Sequence, residues 1–103
     1  MIYALTNAVV TAYCACQICC GRNAKGIDAS GHKPIEGITI AIPRRFPLGS
    51  RVIIEGHEYI GSDRLSKRFN SRFDIYFKSH SDAVRFGKQT KRVTVITPKH
   101  KIK

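Results

Sequence analysis

Six short runs rich in β-branched and aromatic residues, bounded by glycine, proline or polar clusters, limit what this chain can fold into. They are Ala8–Tyr13, Gly37–Ile42, Arg51–Glu55, Glu58–Ser62, Phe73–Phe77 and Lys91–Thr97. Their lengths and their apolar alternation read as strands. Pro47-Leu48-Gly49 turns the chain into the third run, and Gly56-His57 folds it back into the fourth as a hairpin. Helix signals are confined to Ser79–Gly87, which has capping serines, an apolar pair and a terminating glycine. A layered parallel sheet would need helices between successive strands. Six strands with one short helix instead point to a mainly β, small six-stranded barrel.

At 103 residues the chain has room for one core. We read residues 1–97 as a single domain and 98–103 as a basic C-terminal tail. Eighteen Lys and Arg against seven Asp and Glu give a formal charge of +11, so polyanions are the expected partners. Nucleic acid, anionic wall polymers and acidic lipid head groups all qualify. No apolar run approaches the roughly 20 residues of a membrane helix, so membrane insertion is not expected. Residues 1–10 lack the charged start and apolar centre of a signal peptide. The expectation is a monomer made in the cytoplasm.

With so few acids, the placement of Asp63 and Asp74 needs a cause. Each ends or interrupts a β-like apolar run, and a basic loop separates them. Ion pairing with Arg64 or Arg72 is one cause, and acid/base chemistry on a bound substrate is the other. Phe73, Ile75, Tyr76 and Phe77 give Asp74 an apolar setting that favours its neutral form, and Asp63 would add like-charge repulsion. Asp28 reads as a turn residue, Asp82 as a partner of the helix dipole, and Glu55 and Glu58 as exposed hairpin residues.

Cys14, Cys16, Cys19 and Cys20 form a C-x-C-x-x-C-C cluster and are the only cysteines. Thiolates this close suit a structural zinc, with His32 or His57 assisting or replacing one ligand. Two local disulfides, in which Cys19 and Cys20 pair with Cys14 and Cys16 in either order, suit an oxidising compartment. A redox pair of Cys16 and Cys19 is a third option, but it lacks a thioredoxin-like strand and helix context.

The ordered set Val10–Gly21, Gly26–Gly31, Gly37–Ala41, Pro47–Gly49, Ser62–Arg64, Arg72–Tyr76 and Ala83–Gly87 resembles the 3D domain. That family is named for three aspartates. It includes the stationary-phase survival muralytic proteins and the catalytic barrel of membrane-bound lytic transglycosylase A. The resemblance implies a double-psi β-barrel that cleaves the bond between N-acetylmuramic acid and N-acetylglucosamine in peptidoglycan glycan strands. It also implies Asp74 as general acid/base with Asp63 beside it in the groove. We read Thr11, Tyr13, Ser30, Arg64, Arg72 and Tyr76 as substrate-binding residues and expect no cofactor to be required for catalysis. Two departures stand out. Ile42 occupies the place of the family's first aspartate, and the loop Arg64–Ser71 is bulky and basic where the family's is commonly glycine-rich.

A lytic transglycosylase needs one carboxyl that first donates and later removes a proton, because the C6 hydroxyl of muramic acid is the nucleophile and the product is 1,6-anhydro. Without an export signal, such a chain would suit a phage or prophage lysin released by a holin or by lysis. The competing class is a non-catalytic basic barrel that binds nucleic acid or an anionic wall polymer. Arg44, Arg45, Lys67, Arg68 and Arg72, interleaved with Phe46 and Phe69, have the charges and rings of a single-strand binder.

Overall fold

The computed structural model describes residues 2–14, 29–65 and 71–98. These form β1 (Ile2–Tyr13), β2 (Thr39–Ile42), β3 (Ser50–Ile54), β4 (His57–Arg64), β5 (Arg72–Tyr76), helix α1 (His80–Phe86) and β6 (Gln89–Thr97). The strands close a six-stranded barrel in the order β1-β5-β2-β4-β3-β6. Two pairs are parallel, β1 with β5 and β2 with β4, and the antiparallel pair β2–β5 joins them. This is the small, mainly β barrel with one helix that the strand pattern implies.

The first strand starts well before the Ala8 expected from local pattern. Residues Ile2 to Val10 pair antiparallel with Thr97 to Gln89, and Val9 to Tyr13 pair parallel with Arg72 to Tyr76. Strand β1 therefore serves two neighbours in succession. Its first half is held by β6 rather than by its own β propensity.

The hairpin also turns one residue earlier than the sequence suggests. Ile54 pairs with His57, so Glu55 and Gly56 form the two-residue connection and His57 opens β4. Both central residues have positive φ, 50° at Glu55 and 78° at Gly56, as a type I′ connection requires. Glycine meets that demand freely, and Glu55 meets it beside an ion pair of 2.6 Å to Lys91. The helix follows its signals. Ser79 caps it by accepting from the Asp82 amide at 3.3 Å, and Gly87 ends it at φ 70° with its N–H on the Ala83 carbonyl.

Period-two alternation sends Val10, Ile40, Ile42, Val52, Phe73 and Val93 into the barrel, where all are fully buried. Phe46 reaches in from the loop after β2 and lies 6.1 Å from Phe73, ring centre to ring centre. Gly61 permits this packing. A Cβ there would sit 2.7 and 2.8 Å from Ile42 carbons and 3.2 Å from the Ser50 carbonyl. Because Ile42 has no exposed surface into which to move, Gly61→Ala should cost about 1–3 kcal/mol in urea unfolding. An unchanged midpoint would show that Ile42 has a second place to go.

Candidate active site

The outward residues of β1, β5, β2 and β4 build the site. Thr11 pairs with Asp74, Asp74 with Ala41, and Ala41 with Asp63, so four strands place these residues in one lateral row. A register shift after Ile40 makes this possible. Ile40 pairs with Gly61 but Ala41 pairs with Asp63, which leaves Ser62 as an extra residue. Without that bulge Asp63 would stand opposite Ile42 and follow it into the core. Ala41, between the two acids, carries only a methyl group and is buried. Behind the row, Tyr13, Ala41, Leu65 and Tyr76 form a second apolar cluster, with the two tyrosine rings 5.6 Å apart and edge to face.

The two carboxyls are held differently. Asp63 accepts from the Tyr13 hydroxyl at 2.6 Å on Oδ2, and from the amides of Ala29 at 3.0 Å and Arg64 at 2.9 Å on Oδ1. Three donors fix its orientation. Among the described residues Asp74 receives one hydrogen bond, from the Thr11 hydroxyl at 3.0 Å on Oδ1, and that hydroxyl also lies 3.4 Å from the Phe73 carbonyl. Burial pushes the Asp74 carboxyl up to about 6; the Thr11 hydrogen bond and the Arg72 charge oppose the rise, and the Asp63 charge adds to it. The other described acids have separate tasks. Glu36 accepts from the Lys78 amide, Glu55 pairs with Lys91, Glu58 with Arg51 and Asp82 with Arg85.

Such a row can present one carboxyl that is part neutral near pH 6 and one that is a fixed acceptor, beside two buried tyrosines. No protein-family model matches the chain. A curated relative does. Over 88 residues, 84% of this chain, it is 33% identical to "Putative cell wall shaping protein YabE" of Bacillus subtilis (strain 168). The chain spans only 21% of that protein's length.

The remaining candidates fall in several places. Ser30 is exposed beside β4, with its amide on the Ser62 carbonyl at 3.0 Å and its hydroxyl 2.8 Å from His32 Nδ1. Arg72 lies two residues before Asp74 on β5 and acts on it through charge. Arg64 has a structural task that its sequence position did not suggest. Its Nη1 donates to the carbonyls of Pro43 and Phe46, at 3.0 and 2.5 Å, and so pins the loop after β2. Ile42 points into the core and takes no position in the row.

Of the basic and aromatic set that suits nucleic acid, Lys67, Arg68 and Phe69 lie outside the described residues. Phe46 is buried, with Arg45 over its ring at 4.7 Å, so its face is not open to a base. Asp28, Cys16, Cys19 and Cys20 also lie outside the described residues. Cys14 is buried at the end of β1, with its sulfur 3.4 Å from His80 Nδ1. His57, a candidate zinc ligand by sequence, bonds the Gly37 carbonyl at 2.7 Å. Sequence reading missed Ala41, the Ala29 amide and the nearness of His80 to Cys14. All three depend on pairing between distant segments, and no local pattern signals them.

Proposed function

We propose that this barrel is a peptidoglycan lytic transglycosylase domain in which Asp74 is the acid/base. The observation that carries the reading is the carboxyl of Asp74, raised to about 6 on an outward face beside a second, firmly held carboxylate. The 3D-domain resemblance supports the substrate, and the relative's name, which speaks of cell wall shaping, points to the same polymer.

In the first step the neutral Asp74 carboxyl gives its proton to the glycosidic oxygen as the bond from C1 of N-acetylmuramic acid breaks. The sugar then carries oxocarbenium character, and the N-acetylglucosamine hydroxyl leaves. In the second step the Asp74 carboxylate takes the proton of the C6 hydroxyl while that oxygen bonds to C1. A 1,6-anhydro ring closes, Asp74 is again protonated, and no water is consumed. Thr11 orients the reacting carboxyl. Burial keeps Asp74 protonated, with the Asp63 charge adding to it, and Asp63, held by Tyr13 and two amides, offers an acceptor to a sugar hydroxyl.

Murein sacculi incubated with the protein should release anhydromuropeptides, identified by mass spectrometry. Sacculi that bind the protein but stay intact would overturn the catalytic reading. The acid form of Asp74 starts the reaction, so kcat/KM should be level well below pH about 6 and fall about tenfold per pH unit above it. A profile that rises through neutral pH would assign the proton donor to another group.

A further inference from the structure

Strands β2, β4 and β5 bring basic residues to one end of the acid row. Just past Ala41, β2 gives way to a turn over residues 43–46, in which the Phe46 amide donates to the Pro43 carbonyl at 3.1 Å and Arg44 and Arg45 take the two corners. Arg64 ends β4, which runs parallel to β2, and Arg72 opens β5, which runs antiparallel to it, so both lie at the end where the turn stands. The turn is held in shape. Besides its own bond, its Pro43 and Phe46 carbonyls both accept from Arg64 Nη1, at 3.0 and 2.5 Å. Arg44 and Arg45 are exposed, and the Arg45 guanidinium lies 4.7 Å from the centre of the Phe46 ring. Burial lowers the pKa of the Arg64 guanidinium and the Arg44 charge lowers it further, so these two cations are close.

Three residues of chain span at most about 11 Å, which bounds the distance of Arg44 from Ala41 and the two acids that flank it. Muramic acid bound at Asp74 would carry its peptide stem on the lactyl group of the same ring, and two or three extended stem residues reach about 7–10 Å. The stem bears free carboxylates, and arginine forks bind carboxylates through paired hydrogen bonds. Nucleic acid fits this end less well, because the ring of the turn, Phe46, is buried beneath Arg45 and offers no face for stacking. We propose that the turn carrying Arg44 and Arg45 is a subsite for the carboxylates of the peptide stem, so that the domain selects glycan strands that still bear peptides. The proposal rests on the reading of the acid row as a muramic acid site.

The probe is a fluorescently labelled, soluble glycan strand with uncrosslinked peptides, freed of attached phosphodiester polymers; a second batch has its carboxylates converted to amides. In the full chain carrying Asp74→Asn, which keeps the strands whole, anisotropy titration at low salt should show the unmodified strands binding about 5- to 20-fold more tightly. Adding Arg44→Gln and Arg45→Gln should abolish that preference and leave the affinity for amidated strands unchanged. Adding Lys88→Gln and Arg92→Gln instead, which removes the same charge from exposed positions after α1 and on β6, should preserve it. Equal affinity for the two batches would overturn the subsite, as would a preference that survives the Arg44 and Arg45 changes or is lost equally in the Lys88 and Arg92 control. Binding that requires the phosphodiester polymers to be left in place would assign the turn to that anion and overturn it too. Cleavage by the unaltered protein is scored separately. Uncut strands with the carboxylate preference present would sink the transglycosylase reading and leave the subsite standing, and anhydro products without the preference would do the reverse.

Discussion

Asp74→Asn should reduce the release of anhydromuropeptides by about 10²- to 10⁴-fold while making the barrel more stable at neutral pH. The loss follows from removing the group that both gives and takes the proton, with little change in shape. The gain follows from linkage. Asp74 titrates at about 6 in the folded chain against an ordinary value of 3.8, so between those values the folded state holds a proton that the unfolded state has released. Stability therefore falls as pH rises through this window and levels off above about 6, when both states are ionised. A rise of that size corresponds to about 2–3 kcal/mol, and asparagine avoids the cost.

Wild type and variant should have similar urea midpoints at pH about 4 and separate progressively up to pH about 7, where the variant should melt about 10 °C higher. Other titrating groups act on both proteins, so the difference isolates Asp74. A variant that is inactive and also less stable at neutral pH would mean that Asp74 is a structural partner of Arg72 rather than a destabilised acid. Loss of stability in favour of a functional group is a familiar exchange.

Phe73→Ala should be the most damaging single change to the fold. Phe73 is fully buried, packs on Phe46 and directly precedes Asp74 on β5. Removing a buried ring costs about 3–5 kcal/mol when the surroundings cannot collapse into the space. Domains of this size have about 5–15 kcal/mol in all, so the variant should be partly unfolded in mild denaturant. Phe73→Leu, which keeps much of the volume, should cost less than half as much. Equilibrium urea unfolding of the three proteins decides this. A loss under about 1 kcal/mol for alanine would show that the barrel centre can repack.

The two substitutions change neighbouring residues with opposite effects on stability. One lies inside the barrel and one outside, as strand alternation requires.

Much of this arrangement is legible from the chain alone. Alternating β-branched residues between turn signals mark the strands, because a half-buried strand needs one apolar face. Ser79 and Gly87 mark the ends of α1, because helix termini need a side-chain acceptor and a left-handed exit. The scarcity of acids in a +11 chain singles out Asp63 and Asp74 without any knowledge of their contacts. What tertiary structure alone decided is how these pieces line up. The bulge beside Ala41 turns Asp63 outward to the level of Asp74, the parallel exit of β1 and β5 brings His80 to Cys14, and β6 extends β1 back to Ile2. Local periodicity specifies which residues of one strand share a face, but register between strands is set by hydrogen bonds and packing among distant segments. A shift of one residue there exchanges core for surface.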